Sequence, residues 1–147
     1  MLDTNILVRA AGRGEGAAKA LISLVLRSQS HVLVTSPFIL AELERVLAYE
    51  RIRRIAKLDL EGIQAFVSDI RAVSELVWPG AAPRVVPDDA DDDNVVHTAV
   101  QGMADCICTV NKDFFHPAVT TYCAQRGITV CGDVALLEFL RAEGGVG

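Results

Sequence analysis

The stretch "LDTNILV" (residues 2–8) places an aspartate and an asparagine inside the first apolar run of the chain. Both residue types are depleted in strands, so their position needs a reason. The run predicts a short strand that is interrupted by its polar residues. Two interpretations of Asp3 and Asn5 stay open. Either they form an Asx-turn that bonds the local backbone, or they point to one face of an extended chain and carry chemistry.

Downstream of this start, helical and strand-like apolar segments alternate. Helical spacing marks residues 16–28, and a compact apolar run at 31–35 predicts a strand. Ser36 followed by Pro37 predicts a helix start, because serine caps free N–H groups and proline suits the first helical position. The remaining predicted elements are a helix after Asp59, a helix leaving the acidic run at 88–94, a strand at 104–110, and a strand and helix within 127–143. The alternation indicates an α/β fold, a three-layer α/β/α sandwich with a central parallel sheet, in a single domain over residues 1–147.

The composition agrees with that fold and narrows the function classes. Of 147 residues, 51% are hydrophobic and only 5% aromatic, so aliphatic side chains must build the core. No apolar run approaches the roughly 18 residues of a membrane-spanning helix, and the start lacks a secretory signal, which predicts a cytoplasmic protein without membrane contact. The four cysteines form no CxxC pair and match no zinc-ligand spacing. We expect them to be reduced, small core residues.

Charge is segregated along the chain. The formal net charge of −5 argues against a surface covered in positive charge. However, "DDADDDN" (88–94) holds five of the 19 acids, and "RIRRIAK" (51–57) holds four basic residues and no acid. One or two acids would suffice to cap a helix and favour its dipole. Five neighbouring like charges repel one another unless a cation is present, so the run predicts a helix start, a cation site, or both.

Four polar clusters are predicted at one edge of the sheet, because ligands of open α/β folds bind at the carboxyl ends of the strands. The clusters are "DTN", the helix after Ser36, the acidic run, and "VNKDF" (110–114). Glu42 falls within the apolar arc of its helix, where a carboxylate is costly unless it is paired or binds metal. Pairing with Arg45 or Arg9 at the edge of the arc is the alternative. Converging carboxylate and amide oxygens suit Mg²⁺ or Mn²⁺, which bind phosphates and activate water.

The segments "LDTNILV", "SPFILAELERVL", "DDADDDNVVHTAV" and "ADCICTVNKDF" occur in an order that resembles the PIN-domain nucleases, in particular small bacterial toxins of the VapBC type. The resemblance covers nearly the whole chain. It implies a PIN-like α/β/α sandwich and Mg²⁺- or Mn²⁺-dependent hydrolysis of RNA phosphodiester bonds. It also implies a toxin–antitoxin role, with a neutralising antitoxin protein as partner, and a homodimer.

Carried over position by position, the resemblance makes three acids the catalytic, metal-binding set. Asp3 is the first and Glu42 the second, and the family's spacing of seven residues before an alanine, counted back from Ala99, gives Asp92 as the third. The remaining positions that the resemblance assigns are Asp93 as the next candidate ligand, Asn111 and Asp113 as further metal positions, and Asn5, Thr109 and Asp89 as support. Asn111 stands where close relatives carry an acid, and only two residues precede Asp3 where relatives carry several apolar ones.

Because an acidic pocket repels RNA, basic residues must supply the phosphate contacts. The predicted RNA-binding set is Arg9, Arg45, Arg51, Arg53, Arg54 and Lys57. The alternative for those after Glu42 is a solvated helix end, where positive charge complements the helix dipole. The histidines are not assigned to catalysis, and His97 is expected at the surface or behind the site.

Two further functions compete with the nuclease. A phosphotransferase of the haloacid-dehalogenase type would need a second aspartate where the chain has Asn5. The alternative that stays open is a catalytically weak or inactive PIN-fold module that binds RNA or protein, which the neutral Asn111 favours and the retained acids oppose.

Overall fold

The computed structural model of the protein describes residues 1–87 and 89–144. The helices are α1 (Thr4–Ala11), α2 (Ala17–Arg27), α3 (Pro37–Leu47), α4 (Glu50–Ala56), α5 (Leu60–Val73), α6 (Ala90–Gln101), α7 (Pro117–Ala124) and α8 (Asp133–Gly144). The strands are β1 (Leu33–Thr35), β2 (Ser74–Leu76), β3 (Cys106–Cys108) and β4 (Thr129–Cys131), and a 3₁₀ turn covers Lys112–Phe115. In the described residues no helix is long and apolar enough to cross a membrane.

The strands pair in parallel, which confirms the predicted α/β class. β1 pairs with β2 and β3 pairs with β4, each in a two-stranded unit. The described strands therefore do not form one continuous hydrogen-bonded sheet. Helix α6 contacts both β1 and β3 and so packs across the two pairs.

Residues 2–8 differ from the predicted strand. Leu2 forms a single parallel bridge to Cys108, and helix α1 begins immediately afterwards at Thr4. Asp3 is the helix N-cap, and its side chain accepts a hydrogen bond from the Thr4 amide at 2.7 Å. The apolar residues of this run have helical spacing, so Ile6 and Leu7 are buried. Strand pairing therefore stops after one residue, and a helix takes the rest of the run.

Helix starts were the most accurately predicted local features. Ser36 caps α3 with Pro37 at its first position, and Asp59 caps α5 by accepting the Gly62 amide at 2.7 Å. Helix α7, which also begins with a proline, was not predicted. Phe38, an apolar residue in the first turn of α3, is 48% exposed, because Ile39, Leu40 and Leu43 face the core instead.

A single aliphatic core joins most elements, as the composition predicted. Cys108 and Cys123 are buried within it, whereas Cys106 and Cys131 are only half-buried. His97 is buried rather than at the surface, and its Nε2 lies 2.9 Å from the carbonyl oxygen of Pro83. That contact satisfies the buried ring and ties α6 to the segment before it.

Candidate active site

A cavity of about 250 Å³ lies at the start of α1. Three acids from separate parts of the chain line it: Asp3 before α1, Glu42 in α3, and Asp92 in the first turn of α6. The other lining residues are Thr4, Asn5, Val8, Val46 and Asn111. The fold thus brings three of the four predicted clusters, together with Asn111 from the fourth, around one space.

Asp3 is buried and held by three hydrogen bonds. Its Oδ1 accepts from the Thr4 amide, and its Oδ2 accepts from Thr109 Oγ1 at 2.7 Å and from Asn5 Nδ2 at 3.0 Å. Thr109 is fully buried just beyond β3, where its hydroxyl also accepts from the Asn111 amide at 3.0 Å. Burial raises the pKa of Asp3, these hydrogen bonds oppose the rise, and the negative charge of Glu42 adds to it.

Glu42 contacts both the cavity and solvent. Its Oε2 accepts a hydrogen bond from Thr4 Oγ1 at 2.9 Å, and its Oε1 lies 3.8 Å from Arg45 Nη2. The side chain is 41% exposed. The pairing with Arg45 that sequence reasoning kept as an alternative is therefore present, and it coexists with a place in the acidic cavity.

Thr4 is the site residue that sequence reasoning missed. It joins the first two acids, because its amide donates to Asp3 and its hydroxyl donates to Glu42. The available signal was its position between Asp3 and Asn5. It was hidden because the run was expected to be a strand, in which neighbouring side chains point to opposite faces.

Among the acids that line the cavity, Asp92 has the most strongly shifted pKa. Its pKa is raised from 3.8 to about 7, first by burial, then by the negative charges of Asp89 and Asp3. Asn111 opposes this rise, because its Nδ2 donates to Asp92 Oδ2 at 3.1 Å. Repulsion among these carboxylates is what a bound cation would relieve.

Both polar atoms of the Asn111 side-chain amide form hydrogen bonds. Its nitrogen faces Asp92, and its Oδ1 accepts from the Asp113 amide at 3.0 Å, capping the 3₁₀ turn. The oxygen that was predicted to bind metal therefore already has a partner. Asp113 is exposed, and its charge adds to the rise in the pKa of Asp92.

Asp93 forms its hydrogen bonds with a different segment of the chain from its neighbour Asp92. Its Oδ1 accepts from the amides of Val86 and Val85 at 2.7 and 2.9 Å, and its Oδ2 lies 2.7 Å from Arg84 Nε. Burial acts to raise the pKa of Asp93, but these donors outweigh it and lower the pKa. Asp93 thus anchors residues 84–86 to α6 and does not line the cavity. Asp89, at the N-cap of α6, accepts from the Asp91 amide at 2.9 Å.

The predicted basic residues are spread over several surfaces. Arg45 lines a second cavity of about 260 Å³ that shares Glu42 with the first. Arg9 lies 3.4 Å from Asp133, and Arg54 pairs with Glu50 on α4. Arg51 and Lys57 are exposed, and Arg53 is half-buried on the same helix. Arg45 is thus the member of the set that borders the acids directly.

The chemistry of the donors fits a hard divalent cation. Carboxylates of Asp3, Glu42 and Asp92 and the Thr4 hydroxyl supply oxygen alone, which suits Mg²⁺ or Mn²⁺. As the side chains stand, the described residues contain no group of three or more His, Cys, Asp or Glu arranged to hold a metal ion. Binding an ion therefore requires these side chains to draw together.

A protein-family model described as PIN domain matches residues 1–113. The chain belongs to the PIN-domain family. PIN domains are typically nucleases, and those nucleases usually use divalent metals. No curated protein and no solved structure gives a significant match. The matched range contains all three acids of the PIN-domain cavity, whereas β4 and α8 lie beyond it.

Proposed function

We propose that this PIN-domain protein is a metal-dependent endoribonuclease whose catalytic acids are Asp3, Glu42 and Asp92. One observation carries the proposal: the three acids of the family's motifs line the same cavity. The raised pKa values of Asp3 and Asp92 support it, because functional sites are where desolvation and like charges perturb carboxylates. A purely structural cluster would not need to bring three acids together without a basic partner for each.

The protein's own residues have separable tasks. Thr109 and Asn5 orient the Asp3 carboxylate, and Thr4 orients Glu42. Burial and the neighbouring negative charges raise the pKa of Asp92 to about 7, so a bound cation, which favours the ionised carboxylate, would couple its binding to proton release from Asp92. When bound, Mg²⁺ or Mn²⁺ supplies Lewis-acid chemistry that lowers the pKa of water and offsets charge on a phosphodiester.

The cavity beside Arg45 gives RNA a route to the acids. Phe38, Ile39 and Val95 supply apolar surface there, and Phe38 is 48% exposed. An exposed aromatic ring can stack on a nucleobase, while a guanidinium at the same rim contacts phosphate. The proposed substrate is therefore single-stranded RNA, with its phosphate contacting Arg45 beside the acids.

Biological partners follow from the resemblance to VapC-type toxins. We place the protein in the cytoplasm as the toxin of a type II toxin–antitoxin pair, with a cognate antitoxin protein and a homodimeric state. The motifs at residues 2–8, 36–47 and 88–100 support this role. Co-purification with the product of an adjacent gene tests the antitoxin, and light scattering tests the dimer.

One specific observation favours a second function, a PIN-fold module that binds RNA without cutting it. The Asn111 amide presents N–H to Asp92 where relatives carry an acid, and its oxygen is already bonded. The neutral side chain lowers the negative charge available to a second cation. In that case the acids would be retained for binding alone.

Cleavage of a panel of structured RNAs that carry single-stranded loops distinguishes the two functions. Wild type should cut in Mn²⁺ or Mg²⁺ and lose activity in EDTA. Asp3→Asn should lose more than the roughly 10–100-fold typical of outer-shell changes, because Asp3 belongs to the proposed ligand set. Asp69→Asn is the matched control, since Asp69 is exposed on α5 and does not line the cavity. Folded wild type that binds Mn²⁺ yet cuts no RNA would favour the binding module.

A further inference from the structure

Three cysteines meet on one face of the β3–β4 pair. Cys106 and Cys108 are two residues apart in β3, so their side chains leave the same face of the strand. Cys131 is the register partner of Cys108 in β4 and therefore joins them on that face. Cys123, the remaining cysteine, lies in α7. The fold thus collects three thiols from two separate segments of sequence.

The closest pair is Cys106 and Cys131, whose sulfur atoms lie 2.9 Å apart. A disulfide has a sulfur–sulfur distance of about 2.05 Å, so the two atoms need to approach by only roughly 0.9 Å. Both side chains are half-buried, which leaves them accessible to a small oxidant, whereas Cys108 is fully buried. Proximity and access therefore coincide in this pair.

We propose that Cys106 and Cys131 form a reversible intramolecular disulfide when the protein meets a peroxide. The proposal does not depend on the nuclease function, because neither cysteine lines the acidic cavity.

The reaction proceeds in two balanced steps. The Cys131 thiolate attacks one peroxide oxygen, the O–O bond breaks, and hydroxide leaves, giving a sulfenic acid on Cys131. Cys106 sulfur then attacks Cys131 sulfur, the S–S bond forms, the S–O bond breaks, and water leaves. Two thiols are oxidised by two electrons in total, and the peroxide is reduced to water.

Cys131 is suited to act first. The neighbouring thiols of Cys106 and Cys108 lower the pKa of Cys131, while the pKa of Cys106 is raised, first by its contact with Cys131 and then by burial. A thiolate is the reactive form toward peroxides. Cys106 is then the resolving thiol, already in contact with the atom that it attacks.

The crosslink would join the strand pair directly behind the active site. The Thr109 amide donates to the Cys131 carbonyl at 2.9 Å, and the Thr109 hydroxyl holds Asp3. Oxidation would therefore tether the end of β4, whose carbonyl holds the Thr109 amide, to the start of β3.

Thiol counting under denaturing conditions tests the proposal. Reduced wild type should present four free thiols, and hydrogen peroxide treatment of the folded protein should leave two, with recovery of all four after dithiothreitol. Fragmentation mass spectrometry should place the bond between Cys106 and Cys131. Non-reducing denaturing electrophoresis of the peroxide-treated protein should show a monomeric band, because the proposed bond lies within one chain.

Three variants assign the partners. Cys106→Ser should lose only the Cys131 thiol, as the sulfenic acid, and should form no disulfide, whereas Cys108→Ala and the control Cys123→Ala should each still lose two thiols to the Cys106–Cys131 bond. Retention of four thiols in folded wild type would overturn the proposal, as would a bond mapped to Cys108 or a crosslink between chains. Mapping in wild type needs no variant, so the test does not depend on how well the variants fold.

Discussion

Replacing Asp92 by asparagine should make the metal-free protein more stable at alkaline pH. The wild-type carboxylate is partly desolvated and faces the negative charges of Asp89 and Asp3. Asparagine has nearly the same shape and no charge, so Asp92→Asn removes the repulsion without opening a cavity. Its oxygen can still accept the hydrogen bond from Asn111.

The sign and the pH window follow from the raised pKa. An acid whose pKa is higher in the folded state than in the unfolded state destabilises the fold once it ionises. For Asp92 the penalty is absent below the unfolded value of 3.8, grows as the pH rises, and is complete above about 7. The stabilising effect of Asp92→Asn should therefore be small near pH 4 and largest near pH 8.

The magnitude comes from the size of the shift. A rise from 3.8 to about 7 corresponds to roughly 4 kcal/mol if each pKa unit contributes 1.36 kcal/mol. The carboxylate is partly exposed, so solvent screening reduces that value to about 1–2 kcal/mol. For a chain of this length we expect the melting temperature to rise by roughly 2–8 °C.

Mn²⁺ should reverse the order of stability, so that wild type becomes more stable than Asp92→Asn. A ligand present at about 100 times its dissociation constant adds about 2.7 kcal/mol to the free energy of unfolding. Wild type should gain that stabilisation, and Asp92→Asn should gain much less because it has lost a ligand. Urea titrations measure the free energy of unfolding of wild type and of Asp92→Asn under four conditions: about pH 4.5 and pH 8, each in EDTA and in Mn²⁺.

The control is Asp69→Asn, which removes an exposed charge on α5. It should change neither the pH dependence nor the response to Mn²⁺. The reasoning fails if Asp92→Asn is no more stable than wild type at pH 8 in EDTA, because the carboxylates would then not repel one another in the folded protein. Equal stabilisation of both proteins by Mn²⁺ would show that the ion binds elsewhere.

Three further changes have defined outcomes. Asp93→Asn should cost about 1–3 kcal/mol of unfolding free energy in urea, since the ionised acceptor of two backbone amides and Arg84 is lost, while Asp91→Asn, at an exposed position, should not. Thr109→Val should cost about 1–3 kcal/mol and raise the pKa of Asp3 further, measurable by NMR titration, because a buried hydrogen bond to the carboxylate is removed. Gly102→Ala should destabilise by about 1–3 kcal/mol, since its Cβ would lie 2.3 Å from Val34 Cγ1, and combining it with Val34→Ala should cost less than the sum of the two.

Local sequence determined the elements whose signals lie within a few residues. Ser36 with Pro37 and Asp59 start their helices as predicted, because capping depends only on neighbouring N–H groups. The alternation of helical and strand-like runs likewise gave the α/β class. The same local reasoning failed at residues 4–8, where one run fits either period, and the Asp3 cap together with packing against α2 and α3 selects the helix.

The candidate site, too, has residues that the sequence predicted and contacts that it did not predict. The sequence named the three acids and Asn111 through the resemblance of their motifs to those of PIN-domain nucleases, and the helical arc separately singled out Glu42. It could not reveal the hydroxyl of Thr4 on Glu42 or the buried hydroxyl of Thr109 on Asp3, since each contact joins residues that are far apart in the chain.

In the acidic run the resemblance ranks Asp92 ahead of Asp93 by its spacing to Ala99, but only the tertiary structure shows the contacts that separate the two acids. By residue type alone, Asp92 and Asp93 are equivalent, and consecutive helical residues differ by about 100° in direction. Asp93 turns to the amides of Val85 and Val86, and Asp92 turns to the cavity and Asn111. Which acid faces the site is fixed by partners 7 to 19 positions away, and the side-chain pattern within the helix carries no information about them.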